Sequence, residues 1–199
     1  MIDNLEIIKP LLNFEKEDDF YMLFILKRKK DQPEIERHNH QSVRTIKTYC
    51  IESAEYLNHR YEEIKSLCEI FKARAYIHVQ KQNHKDVSLE MMITLAQRIK
   101  NGQHIQNHLF DSVVGQLKTH EKRWVVDIDS KDISKLEDVK SFIKSLRPVG
   151  DKIEEIIPTK NGYHLITKRF DVLEFHKEFS DVEIQKKNPT LLYLPSSLI

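Results

Sequence analysis

The segment Arg123-Trp124-Val125-Val126-Asp127-Ile128-Asp129-Ser130 narrows the possible folds more than any other stretch of this chain. An apolar run that ends in Asp-x-Asp reads as a buried strand delivering two carboxylates at its exit. Side chains alternate along a strand, so Asp127 and Asp129 share a face while Ile128 points into a core. Two acids at that spacing repel each other unless a cation lies between them, and Mg²⁺ or Mn²⁺ is the usual one. A second segment, Thr159-Lys160-Asn161-Gly162-Tyr163-His164-Leu165-Ile166-Thr167, brings His164 out of a glycine turn on what reads as a neighbouring strand. Together they point to metal-assisted phosphate chemistry.

Strand and helix patterns alternate along the chain. Phe20 to Leu26 reads as a buried strand ended by Lys27-Arg28-Lys29-Lys30, and 34–42 as a polar, histidine-rich loop. Val43 to Cys50 alternates as a strand does. Ser53 to Phe71 has helical spacing through Ala54, Leu57, Tyr61, Ile64, Leu67 and Cys68. Ala73 to Val79 reads as a strand with Ala73, Ala75, Ile77 and Val79 on its core face. Asp86 or Ser88 is the expected cap of a long helical region running to about Leu117, with a break near Asn101-Gly102. Asp132 and Ser134 precede a helix that stops at Arg147-Pro148. Two strands, Ile153 to Pro158 and Tyr163 to Thr167, are joined by a turn containing Asn-Gly, a hairpin signal. A short amphipathic segment, Val172 to Phe179, leads to Val182-Glu183-Ile184 and then to Thr190 to Leu194. The pattern predicts an α+β fold with a mixed, largely antiparallel sheet and flanking helices. Residues 1–71 are expected to form an N-terminal α/β portion packed on a core made by 72–199, completing its sheet or binding a partner through Phe20 to Leu26.

Composition excludes several classes. Hydrophobic residues at 40% and charged residues at 32% describe a folded rather than a disordered chain. No apolar run approaches bilayer length, and Met1 to Glu6 lacks a signal-peptide pattern. Cys50 and Cys68 are too few for a disulfide framework or a zinc site, so a reducing, cytoplasmic setting without a membrane partner is expected. A net charge of +1 provides no global field for nucleic acid, which leaves local patches: Lys27 to Lys30, Lys168-Arg169 and Lys186-Lys187. Four glycines cannot build a Gly-rich phosphate loop.

Asp is also common at helix N-termini, but Asp132 and Ser134 already fill that place, which favours metal binding by Asp127 and Asp129. Gly162 permits close backbone approach, and Lys160, Lys168 and Arg169 offer cations around the same hairpin. Two metal ions need a further acid, for which Asp181 and Glu183 stand two apart. Tyr163 and Tyr193 are candidates for stacking on a base or sugar, whereas Trp124 reads as core. His38 and His40 lack partners at a zinc-like spacing, and His104, His108 and His120 read as solvated.

In this order, the segments resemble the archaeo-eukaryotic primase superfamily, which includes primase-polymerases and the polymerase domains of end-joining ligases. Val125-Val126-Asp127-Ile128-Asp129 is similar to its first motif, and Gly162-Tyr163-His164 to its second, with glycine in the place usually held by serine. Asp181 or Glu183 stands for the third acid. Leu191 to Leu198 looks like the segment beyond it, with Tyr193 where an arginine is common. The resemblance covers roughly 72–199 and implies an RRM-like palm forming a minimal catalytic core, of a kind expected in phages and mobile elements. It implies a DNA or RNA primase or primase-polymerase: a template-dependent nucleotidyltransferase of DNA replication that uses two Mg²⁺ or Mn²⁺ ions. Asp127, Asp129 and Asp181 or Glu183 would hold the metals. His164 would contact the nucleotide phosphates with Lys160, Gly162, Lys168 and Arg169 nearby. The implied partners are nucleoside triphosphates, a single-stranded nucleic acid template and a replication protein. Two competing readings keep the same residues: a metal-dependent nuclease or other phosphotransfer enzyme, and a non-catalytic nucleic-acid or protein binding module with a related fold.

Overall fold

A computed structural model describes residues 1–32, 43–103, 109–117 and 122–199. The expectations for 34–42 and for His38, His40, His104, His108 and His120 fall outside these described residues. The chain is an α+β protein with six α-helices and two antiparallel sheets, one of six strands and one of four, among the described residues. Every described strand pairing is antiparallel, so no parallel pair joins the sheet expected to be mixed.

The first sheet is built around β2 (Asp19–Arg28), which is buried along most of its length. It pairs with β3 (Val43–Ile51) on one side and β4 (Arg74–Ile77) on the other, and β5 (Gln82–Asn83) continues the line of β4 along its start. Beyond β4 come β10 (Thr190–Leu194) and β1 (Ile2–Asp3). This sheet therefore takes strands from both sides of residue 72. Phe20 to Leu26 completes the sheet as an interior strand.

Alternation along β2 explains its two cores. Tyr21, Leu23 and Ile25 face α1 (Leu5–Ile8) and α2 (Ala54–Phe71), the latter through Leu57, Tyr61, Ile64 and Cys68. Phe20 and Met22 face α3 (His84–Lys100) and α4 (Leu109–Gln116) through Val87 and Val113. Ser53 caps α2 by accepting from the Tyr56 amide. The cap of α3 is Asn83, which accepts from the Lys85 and Asp86 amides, so α3 begins earlier than Asp86 or Ser88 would place it. The expected break is present: α3 ends at Lys100, followed by Gly102 at φ +66°.

The second sheet is a β-α-β-β-α-β unit: β6 (Trp124–Ile128), α5 (Ile133–Ser145), β7 (Ile153–Pro158), β8 (Tyr163–Thr167), α6 (Val172–Glu178) and β9 (Glu183–Gln185). Its strand order, β7-β8-β6-β9, is the split β-α-β arrangement of ferredoxin-like units. One face carries Trp124, Val126, Ile128 and Leu165 against α5 and α6. The other carries Val125, Ile157 and Ile166, which join the core of the first sheet. Arg123 ties the sheets together, with Nη1 donating to the Leu11 and Val79 carbonyls and Nε pairing with Glu154. No helix among the described residues is long and apolar enough to cross a membrane.

Candidate active site between the two sheets

Register sets the site. Asp127 on β6 is directly opposite His164 on β8, and on the other side it is directly opposite Glu183 on β9. Residues directly opposite share a face, so His164, Asp127 and Glu183 form one row across three strands. That row faces a cleft of about 720 Å³ between the sheets. Asp129, two residues on, lines the same cleft, as expected for an Asp-x-Asp strand exit. Neither aspartate is spent on a helix cap, because Asp132 caps α5 by accepting from the Ser134 amide.

His164 is the best fixed of these groups. It is buried, with Nδ1 2.9 Å from Thr190 Oγ1 and Nε2 3.5 Å from Asp127 Oδ1. Burial pushes the Asp127 carboxyl up. The hydrogen bond and attraction from His164, with Arg28 further off, outweigh that and hold it below the usual carboxylate range. Gln185 donates to its other oxygen at 3.4 Å. Among the described residues Asp129 and Glu183 have no hydrogen-bonded or ion-paired partner, and both are exposed to the cleft. Two carboxylates directly opposite on neighbouring strands are destabilising unless a cation offsets them.

Gly162 packs its backbone against the exit of β6. A Cβ there would lie 1.9 Å from the Ile128 carbonyl oxygen and 2.6 Å from the Ser130 nitrogen. The turn is closed by the Thr159 amide donating to the Gly162 carbonyl and the Gly162 amide donating to Thr159 Oγ1. Gly162 has no positive φ, so it is needed for close approach and not for an Asn-Gly hairpin turn.

The other expected residues divide. Lys160 lines the cleft, although its ammonium donates to the Leu198 carbonyl. Lys168 and Arg169 do not line it: they are exposed beyond the far end of β8. Lys168 is four residues past His164, about 13 Å along an extended strand. Asp181 is also absent from the cleft lining; it lies before β9, exposed, and pairs with Lys135, which holds its carboxyl below the usual range. Glu183 is the acid that faces the cleft. Tyr163 points to the α5–α6 side, and Tyr193 is core, with its hydroxyl donating to Glu69. Trp124 is core as expected, with Lys186 over its ring. Lys187 donates to the Gly115 carbonyl, away from the acids.

The first sheet supplies what the motifs did not show. Arg28, Lys29, Arg74 and Tyr76 line the cleft opposite the acids, with the Arg28 guanidinium 5.8 Å from the Tyr76 ring centroid. Arg74 is committed to a buried two-pronged ion pair with Asp31, both bonds 2.8 Å. Arg28 and Lys29 belong to the basic run Lys27 to Lys30, a local patch that reads more readily as a solvated strand end, and Arg74 and Tyr76 sit on a strand with no motif.

The donor chemistry suits a hard divalent cation, since Asp127, Asp129 and Glu183 offer only carboxylate oxygens. As the side chains stand, they do not close on a common point: among the described residues no three His, Cys, Asp or Glu side chains form a metal-holding group. No protein-family model, curated protein or solved structure matches this chain.

Proposed function

We propose that this chain is a template-dependent nucleotidyltransferase of the primase or primase-polymerase kind, with its active site in the cleft between the sheets. The row His164–Asp127–Glu183, with Asp129 beside it on an RRM-like palm, is the observation that carries the reading. Asp127, Asp129 and Glu183 would hold Mg²⁺ or Mn²⁺ after rotation of the two exposed side chains. A metal held there would lower the pKa of an attacking hydroxyl and offset charge on a triphosphate. The protein's own part is then positional. His164 presents a ring nitrogen to the triphosphate, Arg28, Lys29 and Lys160 offer positive charge along the wall, and Tyr76 offers a face for a base. A single-stranded template and nucleoside triphosphates are the partners, and a replication protein is a further one. The setting is a reducing cytoplasm, consistent with the free thiols of Cys50 and Cys68.

One observation favours a non-catalytic relative with the same fold, namely that the three acids are not gathered on one point. Incubation with labelled nucleotides, Mn²⁺ and a single-stranded template separates the readings. Template-directed product that disappears in Asp127→Ala and Asp129→Ala supports the proposal. A shortened template indicates a nuclease. No product, together with no Mn²⁺-induced rise in melting temperature, indicates a binding module and overturns the proposal.

A further inference from the structure

His164 is held from behind by a residue of the other sheet. Its Nδ1 lies 2.9 Å from the hydroxyl of Thr190, the first residue of β10, and Thr190 is fully buried. This contact is also a bridge between the sheets at the base of the cleft, because β8 and β10 belong to different ones.

We propose that Thr190 is a positioning residue that fixes the orientation of the His164 ring, so that Asp127 keeps it in the Nε2–H tautomer with that N–H directed toward the cleft. The assignment follows from the partners. Nε2 faces Asp127 Oδ1 at 3.5 Å, and an ionised carboxylate can only accept. A lone pair on Nε2 would face the lone pairs of that oxygen, so the proton of the neutral ring belongs on Nε2. Nδ1 is then an acceptor, and the Thr190 hydroxyl donates to it. The torsion about the His Cβ–Cγ bond is broad and roughly two-fold, so the ring does not choose its own orientation. Thr190 is β-branched on a strand, with a stiff χ1, and provides a fixed donor that chooses it. The consequence is chemical: an anionic oxygen entering the cleft beside Asp127 meets an N–H and not a lone pair.

The kinetic part of this inference rests on the nucleotidyltransferase reading; the tautomer does not. The full-length protein labelled with ¹⁵N-histidine, without nucleotide or metal, reports the ring directly by NMR. The expected result is a protonated Nε2 and an unprotonated Nδ1 whose resonance carries the shift of an accepted hydrogen bond. Thr190→Val, close in shape but lacking the hydroxyl, loses that shift, and Thr190→Ser keeps it. In the nucleotide-incorporation assay Thr190→Val raises KM for the nucleoside triphosphate about tenfold, the low end for loss of a group that orients a site histidine. It leaves kcat little changed, and Thr190→Ser restores KM. A wild-type ring protonated on Nδ1 overturns the inference, as does a Thr190→Ser ring without the hydrogen-bond shift. If Thr190→Val does not fold, the wild-type and serine spectra still decide. Correct spectra without nucleotide incorporation leave the positioning role standing and overturn the nucleotidyltransferase reading alone.

Discussion

Replacing Gly162 with alanine tests how tightly the site is assembled. The added Cβ would meet the Ile128 oxygen at 1.9 Å, the Ser130 nitrogen at 2.6 Å and the Ser130 oxygen at 2.7 Å. All three are backbone atoms at the exit of β6, so no flexible side chain can swing away. Even a close C···O contact begins at about 3.3 Å, which puts the worst overlap above ~1 Å. Overpacking costs about 1–3 kcal/mol where neighbours can adjust, and the upper end, about 3 kcal/mol, is expected where only backbone can yield. For a chain of this length that corresponds to a fall in Tm of about 6–12 °C. Urea denaturation of wild type and Gly162→Ala measures the loss, and the Ile128 to Ser130 amide resonances show where the strain goes. A change below about 0.5 kcal/mol with those amides undisturbed would refute the reasoning, since that is the range of an inert surface substitution. Gly162→Ser meets the same atoms and is expected to be no milder. The glycine at this position thus has a steric cause in this chain.

Other outcomes follow from buried polar groups. Arg74→Met leaves Asp31 buried without its partner and is expected to cost about 3–5 kcal/mol in urea denaturation, with Arg74→Met/Asp31→Leu recovering part of it; a single variant near wild type would count against the pair. Lys152→Met removes an ammonium held among the carbonyls of Lys144, Leu146, Pro148 and Gly150 behind α5, to which its three N–H groups donate, and a loss of about 3 kcal/mol is expected in the same assay. Asp127 has a depressed folded-state pKa, so its contribution to stability is present above the unfolded value of about 4 and is lost as pH falls through the lower folded value. His164→Ala removes the main influence opposing burial, and the Asp127 carboxyl, followed by ¹³C NMR, should titrate at higher pH than in wild type. An unchanged or lower midpoint would show that the His164 contact is not what holds it down.

Much of this fold is legible because its periodicities are clean. The long helix over 54–71 and the core face of β4 reflect burial on defined faces, and the apolar strands β2 and that around Val125 and Val126 read correctly because both their faces are covered. The Asp127–Asp129 spacing predicts a shared cleft for the same reason. What fails is reasoning from nearness in sequence. Lys168 and Arg169 are close to His164 along the chain, but an extended strand carries them to its other end. Tyr163 illustrates a signal that was present: a residue adjacent to His164 on a strand must point to the opposite face. Asp181 and Glu183 share a face only if the strand begins early enough, and β9 begins at Glu183. Arg28, Tyr76 and Thr190 reach the site from the first sheet through packing between sheets, and no local pattern encodes that.

The pairing of β10 between β1 and β4 also bears on how the protein comes into being. During synthesis the β4 edge waits without a neighbour while the whole β-α-β-β-α-β unit emerges and folds. Only when residues 190–194 have left the ribosome can the first sheet close, and Thr190 reaches His164 in that same late event. Such long-range pairing is slow and leaves the β4 edge open until it forms. Completion of the first sheet and orientation of the imidazole are one step, and a nascent chain whose residues 190–194 have not yet emerged has neither.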